Sequence, residues 1–355
     1  MKRMFILVAI VLFIVGSLSA EEAILIDFSK LTADIIPDQN NENKPTQNRQ
    51  TMMDYSNVAG GSFTTEQKSV MKTSLAIANW DVVLASSSQN VANRAYSYTM
   101  ESPSKQWGTV MGVRIHFPVE NWNSWAMIKP PFDIPAFEPG AEIDDEGNIQ
   151  PVEGGNGITQ PSRFEAAAGD DGKVDNTQSA YGVVKNVGTL KSVAINAYGL
   201  NFPHSVSVIL IDSQGNSQNV FMGYLNYDGW GELRWDNPSY ISEVRNRELR
   251  IYPLYPFSTP FLKFGGFLIR RDGADIGGDF IGYFKDVKII YDKAVLDTDR
   301  DIDDESVWNI IKERETAKKV WEMEQFGEGQ VLRYLESQKK ATENTFRPTE
   351  TNNTN

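Results

Sequence analysis

The stretch that decides the fold runs from Leu190 to Trp235 and reads LKSVAINAYGLNFPHSVSVILIDSQGNSQNVFMGYLNYDGWGELRW. Near its centre the residues alternate in the period-two pattern of a strand with one more apolar face. On that face are Val206, Val208 and Leu210, and between them stand Ser205, Ser207 and Ile209. Ser213–Asn216 predicts a turn, in which Gly215 can take a positive φ. Val220–Leu225 and Trp230–Trp235 predict the next two strands, so the whole stretch is typical of an antiparallel β-meander.

Runs with strand character recur on both sides of this stretch, separated by Gly, Pro and Asn. They are Ala23–Phe28, Trp107–Phe117, Trp125–Ile128, Tyr181–Val184, Leu249–Tyr252, Phe264–Arg270 and Ile281–Tyr291. In the last run, the alternation predicts one shared face for Tyr283, Lys285, Val287, Ile289 and Tyr291. No strand–helix–strand alternation favours a parallel sheet. The pattern therefore predicts a mainly β fold, an antiparallel β-sandwich of the jelly-roll, galactose-binding-like type.

The N-terminus has the three parts of a secretory signal peptide. Lys2 and Arg3 are basic, Met4–Val15 is an apolar core, and Gly16–Ala20 supplies small residues for cleavage. A retained membrane anchor is the alternative, but the apolar core is shorter than the roughly 20 residues that a membrane-spanning helix needs. We therefore expect an exported protein that is not inserted in the membrane after cleavage.

The composition divides the chain into four parts. They are a signal peptide at 1–20, a β-sandwich domain at 21–298, a helical segment at 299–340 and a disordered tail at 341–355. Pro and Gly punctuate residues 129–175, which predicts a long insertion in the sandwich. After Asp299, apolar residues recur at helical spacing, among them Trp308, Ile311 and Trp321.

The overall composition excludes several classes of function. The formal net charge is −13, and removal of the signal peptide makes it two units more negative, so a nucleic-acid partner is not expected. Cysteine is absent, which excludes disulfides, thiol nucleophiles and Cys-based metal sites. With His116 and His204 as the two histidines, we expect no cofactor and no multi-histidine metal site.

An acidic run near the start of the helical segment raises the question of a calcium loop. It contains Asp297, Asp299, Asp301 and Asp303 at every second position. An EF-hand requires Gly at its sixth position and Glu at its twelfth, where this run has Ile302 and Trp308. A solvated linker with acids at a helix N-terminus is the favoured interpretation.

Aromatic residues next to acids and amides are the best candidates for a binding site. Tyr227, Trp230, Trp235 and Asp236 are the candidates in the decisive stretch, and Trp308 and Trp321 are those in the helical segment. Exposed Trp and Tyr in β-sandwiches can stack on sugar rings, but core packing is the commoner use of such residues, and a protein interface is a third. The carboxylates Glu232 and Asp236 could in principle hydrolyse glycosides, but acidic proteins contain many such pairs. No catalytic motif is present, and we expect no catalytic residue.

Several motifs resemble those of the spirochaete periplasmic flagellar filament outer-layer (sheath) proteins, the FlaA family. The motifs are Tyr181–Gly188 (YGVVKNVG), Leu190–Val193 (LKSV), Tyr198–His204 (YGLNFPH), Trp230–Pro238 (WGELRWDNP) and Gly265–Arg271 (GGFLIRR). They describe strands and turns, so no site residue follows from them. The resemblance implies a non-enzymatic coat around a flagellin core, with flagellin and other sheath subunits as partners, that tunes filament stiffness or shape for motility. The alternative function is a secreted carbohydrate-binding module, with Trp230 and Trp235 as its platforms.

Overall fold

A computed structural model provides the structure of the chain. It describes residues 20–31, 35–38, 41–47, 51–54, 64–65, 68, 72–119, 124–138, 141–143, 149–151, 160–161, 164, 181–248, 252–253, 255, 259–294, 296–297, 301–302, 304–311, 313–314, 317–318, 321, 325, 327–329 and 331–332. The predicted signal peptide and the predicted disordered tail lie outside these residues, apart from Ala20. None of the helices in this part of the chain combines the length and apolar character that crossing a bilayer requires.

Twelve strands of the described chain build two packed sheets. They are β1 (Glu21–Asp27), β2 (Asp81–Leu84), β3 (Tyr98–Ser104), β4 (Gly108–Phe117), β5 (Trp125–Lys129), β6 (Val183–Lys185), β7 (Val187–Leu200), β8 (Ser205–Asp212), β9 (Ser217–Tyr224), β10 (Asp228–Asp236), β11 (Phe261–Arg270) and β12 (Gly278–Lys293). All of their pairings are antiparallel, and the predicted β-sandwich is therefore confirmed.

The two sheets have the same plan. Sheet I has the order β10-β7-β12-β4-β3, and β1 joins β12 beside β4. Sheet II has the order β9-β8-β11-β5-β2, and β6 joins β11 beside β5. Each sheet thus has a central strand, β12 in sheet I and β11 in sheet II. One edge of this central strand pairs with two other strands, one after the other along its length.

The predicted β-meander is wrong, because the decisive stretch is divided between the sheets. The β8–β9 hairpin lies in sheet II, with the expected turn and a φ of 85° at Gly215. The next strand, β10, returns to sheet I and pairs with β7 from Ser192↔Asp236 to Leu200↔Asp228. The chain therefore forms one long hairpin folded over on itself, as in a jelly roll. This fold buries Val206 and Val208 of β8 and Val193 and Ile195 of β7 in one shared core.

Phenylalanine rings from both sheets fill the centre of the sandwich. The rings of Phe267 on β11 and Phe284 on β12 stack with centroids 4.3 Å apart. Phe28, in a 3₁₀ turn after β1, packs edge-on against Phe264 at 6.2 Å and against Trp80 at 5.4 Å. Burial of each such side chain contributes up to about 3 kcal/mol. Because the domain has no disulfide, these contacts hold the two sheets together.

The predicted common face of β12 is also wrong. A β-bulge lies opposite Asn196 and Ala197, where Asn196 pairs with Asp286 and Ala197 with Phe284. The extra residue, Lys285, reverses the alternation along the strand. Tyr283 and Lys285 are therefore half-buried on the outer face of sheet I, whereas Val287, Ile289 and Tyr291 are buried in the core.

Short elements surround the sandwich. The described residues include the helices α1 (Val91–Ala95), α2 (Tyr240–Glu248) and α3 (Asp304–Trp308). They also include the short strand pairs Ile35–Asp38 with Asn41–Gln47, Met52–Asp54 with Lys72–Ser74, Phe137–Glu138 with Gln160–Pro161, Ala141–Ile143 with Ile149–Pro151, and Tyr252–Pro253 with Leu296–Asp297. The 3₁₀ turn Ile77–Asn79 ends two residues before β2 begins at Asp81. Two of the short pairs lie within the predicted insertion at 129–175.

The C-terminal segment is mostly helical where it is described. Helix α3 ends at Trp308, because Asn309 takes a left-handed φ of 52°, and helical backbone resumes at Ile310. Lys318 places its ammonium group 5.8 Å from the centre of the Phe261 ring on β11, and Val331 packs against the core. One side of this segment thus rests on the sandwich.

Candidate interaction surface

A row of aromatic side chains crosses the outer face of sheet I. Trp230 on β10 pairs with Tyr198 on β7, which pairs with Tyr283 on β12. The Trp230 and Tyr198 centroids are 5.4 Å apart, the Tyr198 and Tyr283 centroids are 5.9 Å apart, and both pairs are edge-to-face. The next residue of the row is Gly112 on β4, where a Cβ would clash with the Ser102 hydroxyl on β3 and lie 3.3 Å from the ring of Tyr283. The glycine therefore leaves room for the tyrosine ring beside it.

A fourth ring reaches this row from the hairpin of β3 and β4. Trp107 lies in the turn between these strands, yet its ring is 6.3 Å from that of Trp230. Strands β4 and β10 are three positions apart in sheet I, which corresponds to roughly 14 Å. The tip of the hairpin must therefore fold over the outer face of the sheet. Trp107 keeps 36% of its surface exposed.

A network of charged side chains lies beneath this hairpin. The Lys285 ammonium is 5.1 Å from the centre of the Trp107 ring, and it forms ion pairs with Asp286 and, at 3.7 Å, with Asp27. Asp286 is 1% exposed, and its Oδ1 accepts a hydrogen bond of 2.7 Å from Asn196 Nδ2. The bulge in β12 places Lys285 and Asp286 side by side on this face, which makes the network possible.

A second polar cluster lies further along β4 and β12. Asp279 binds both Arg114 and His116, and the His116 contact measures 2.7 Å. Partial burial tends to raise the pKa of Asp279, but the hydrogen bonds from His116 and Arg114 prevail and hold it below its usual value. The hydrogen bonds of Arg114 to Asp279 and to Tyr98 raise the pKa of its guanidinium. Arg114 also lies 5.4 Å from the centre of the Tyr96 ring, so this cluster is ordered from several sides.

The structure does not bring the four predicted residues of the decisive stretch together. Trp230 and Asp236 lie on the outer face of β10 but are six residues apart, or roughly 20 Å. Trp235 faces the core, because it is an odd number of residues from Trp230. Tyr227 also packs against the core, where its hydroxyl donates to the Ala197 carbonyl at 3.1 Å, and burial raises its pKa. Trp230 and Trp235 therefore do not form one platform.

The residues that do accompany Trp230 come from other strands and from the β3–β4 turn. They are Trp107, Tyr198, Tyr283, Lys285 and Asp286. The sequence spacing of five between Trp230 and Trp235 would have shown that they face opposite ways. The partners of Trp230, in contrast, depend on the pairing of the strands.

Exposed apolar residues also occur in two other parts of the described chain. In the helical segment, Trp308 is 64% exposed and Trp321 is 60% exposed, so neither of these predicted residues anchors the segment to its own sandwich. On β9, at the edge of sheet II, Phe221 and Tyr224 are 50% and 51% exposed, with ring centroids 5.6 Å apart. These surfaces are separate in the chain from the aromatic row of sheet I.

Within the described residues, no three His, Cys, Asp or Glu side chains are grouped to hold a metal ion. Asp299 and Asp303 of the predicted calcium run lie outside those residues. Glu232 and Asp236 are both on the outer face of β10, roughly 13 Å apart along the strand. Glycosidase carboxylates are about 5 to 9.5 Å apart, and the backbone positions of this pair are farther apart than that.

Solved structures with a related architecture include carbohydrate-binding modules. One is a structure from work on promiscuous carbohydrate-binding modules of the β-sandwich superfamily. The match covers 59% of this chain and 56% of the module's chain, with 8% identity and a TM-score of 0.28. A module in complex with β-1,4-galactotriose matches 60% of this chain and 88% of that chain, with 8% identity and a TM-score of 0.24. Similarity at this level supports no conclusion about ligands.

Sequence relatives match over much more of the chain. A flagellar filament outer layer protein of Treponema pallidum (strain Nichols) is 48% identical, with coverage of 98% of this chain and 97% of the relative. One from Spirochaeta aurantia is 44% identical, with coverage of 98% and 95%. One from Borreliella burgdorferi is 27% identical, with coverage of 86% and 82%. The family model for the flagellar filament outer layer protein FlaA matches residues 44–300. By these matches the chain belongs to the FlaA family of flagellar filament outer layer proteins.

Proposed function

We propose that this protein is a structural subunit of the outer layer of the periplasmic flagellar filament. In this role it coats the flagellin core, contacts other sheath subunits and tunes the stiffness or shape of the filament for motility. The observation that carries the proposal is the match to flagellar filament outer layer proteins over nearly the whole chain. The protein acts through its surfaces and has no catalytic reaction of its own.

The distribution of exposed apolar residues supports this role. A subunit of a helical lattice repeats heterologous contacts, so it needs at least two different contact surfaces on one rigid body. Trp308 and Trp321 provide one such surface, and Phe221 with Tyr224 provides another. Large exposed aromatic residues are typical of protein interfaces, where they become hot spots after burial. We assign these two surfaces to contacts with flagellin and with neighbouring sheath subunits.

The sequence also supports export to the periplasm. Residues 1–20 have the pattern of a cleavable signal peptide. The remaining domain contains no cysteine, so the packed core between the sheets stabilises it without disulfides. Such a domain folds independently of the redox state of the compartment in which it works.

Reconstitution on filaments tests the proposed function. Purified filaments stripped of their outer layer are mixed with the full mature chain, and electron microscopy then measures the filament diameter and curvature. We expect a regular outer layer and a change in curvature. Absence of the protein from purified filaments, together with failure to bind stripped ones, would contradict the role.

A further inference from the structure

The aromatic row and the two charged clusters of sheet I have no role in the contacts assigned above. The row consists of Trp230, Tyr198 and Tyr283, and Trp107 stands beside it. It extends over three adjacent strands, which corresponds to roughly 10 Å. Partly exposed aromatic rings with a few fixed polar groups beside them are characteristic of sites for small organic ligands.

The polar groups beside the row are already held in place. Arg114, two residues along β4 from Gly112, is fixed by Asp279 and by the Tyr96 ring. His116 is fixed by the same carboxylate. Side chains that are ordered before binding lose little conformational entropy when a ligand hydrogen-bonds to them. This cluster can therefore offer both donors and acceptors to hydroxyl groups at low cost.

The charge balance of the surface indicates the kind of ligand. The whole chain carries a net charge of −13, but the two cations beside the row, Arg114 and Lys285, both have acidic partners. Arg114 is paired with Asp279, and Lys285 is paired with Asp286 and Asp27. An anionic or cationic partner would have to displace one of these pairs, so an uncharged ligand fits best. Sugars carry no charge, and their rings have apolar faces and hydroxyl groups at their edges. They therefore suit both the aromatic row and the paired charges beside it.

We propose that the outer face of sheet I binds a neutral oligosaccharide chain. A sugar ring stacks on Trp230, and its hydroxyl groups hydrogen-bond to the Arg114–Asp279 cluster. Tyr198 and Trp107, whose ring planes are roughly perpendicular to that of Trp230, form walls beside it. This activity is independent of filament decoration, because the surfaces assigned to protein contacts lie on β9 and on the helical segment.

Binding of neutral oligosaccharides to the full mature chain tests the proposal. An array of neutral tetra- to hexasaccharides identifies a bound probe, and calorimetry with that probe measures the affinity. We expect Trp230→Ala and Trp107→Ala each to weaken binding about tenfold or more, because each removes an aromatic surface that contacts the sugar. Phe221→Ala is the matched control, since it removes an exposed ring from the other sheet, and it should leave the affinity unchanged.

The outcomes separate this proposal from a protein interface. Trp107 lies in a turn with its ring partly exposed, so Trp107→Ala should fold even if Trp230→Ala does not. No bound probe at millimolar concentration would overturn the proposal, as would an affinity that Trp107→Ala and Trp230→Ala leave unchanged. Loss of filament decoration in these variants without any saccharide binding would assign the face to protein contacts instead, and it would also overturn the proposal.

Discussion

Asn196 on β7 donates a hydrogen bond of 2.7 Å from its Nδ2 to Oδ1 of Asp286 on β12, at the bulge that sets the outer face of sheet I. The Asp286 side chain is 1% exposed, and its other oxygen binds the Lys285 ammonium. A single buried carboxylate therefore connects two strands and a cation at the centre of the sheet. Such a group is costly to remove, because its partners remain buried without it.

Asp286→Ala should destabilise the domain by about 3 kcal/mol, since it leaves Lys285 with the more distant Asp27 as its acidic partner. Urea denaturation measures the loss. Asp236→Ala is the control on the same face, because Asp236 is 70% exposed, and it should change the stability by about 0.5 kcal/mol or less. Equal effects of the two substitutions would contradict the importance of the buried network.

His204 should make the stability of the domain depend on pH. The side chain is 1% exposed among Phe117, Phe202 and Phe280, and burial lowers its pKa to about 4 from an ordinary value of 6.5. Asp275, 3.3 Å from Nε2, opposes this shift, as does Asp272, whereas Arg271 adds to it.

The sign of the pH effect follows from which state binds the proton. As the pH falls below 6.5 the unfolded chain becomes protonated at His204 before the folded protein does, so stability decreases between pH 6.5 and pH 4. From pH 7.5 to pH 5 this group should remove about 2 kcal/mol. In His204→Phe this part of the pH dependence should disappear. An identical change in urea midpoint between the two pH values in both proteins would show that His204 is not responsible.

Gly266 on β11 is expected to tolerate no side chain. Its φ is 129°, and a Cβ would lie 2.1 Å from the backbone carbonyl oxygen of Ile128 on the adjacent strand β5. Gly266→Ala should therefore cost about 3 kcal/mol or more in the free energy of unfolding. Gly273→Ala provides the comparison, because nothing lies within 4 Å of a Cβ there. A melting temperature for Gly266→Ala equal to that of Gly273→Ala would contradict the close approach of the two strands.

The exposed tryptophans of the helical segment should matter for assembly and not for folding. Trp308→Ser with Trp321→Ser should weaken binding to stripped filaments about tenfold or more while the melting temperature stays unchanged. Both side chains are at least 60% exposed, so their replacement removes little internal contact. Ile276→Ser is the control, because Ile276 is 75% exposed and lies outside this segment. Sedimentation with stripped filaments measures the binding, and normal binding by the double variant would contradict the assigned contact.

The sequence alone determined which residues of β8 face the core and where the turn from β8 to β9 falls. Val206, Val208 and Leu210 are buried as their alternation predicts, and Gly215 has the positive φ expected of its turn. Both properties are local, because side chains alternate along any strand and glycine has its conformational freedom regardless of its neighbours. The family motifs are also contiguous, and they indicated the family before any contact was known.

Only the tertiary structure decided which strands are neighbours. The sequence pattern is the same whether β10 follows β9 in one sheet or crosses to pair with β7, because both arrangements bury the same residues between the sheets. The sequence pattern does not show the bulge at Lys285 either, because a bulge is defined by the pairing with the partner strand. Together these features bring Trp107, Tyr198, Trp230 and Lys285 to one surface from distant parts of the chain. Alternation along a strand shows which face a residue occupies, but the hydrogen bonds between strands determine what lies beside it.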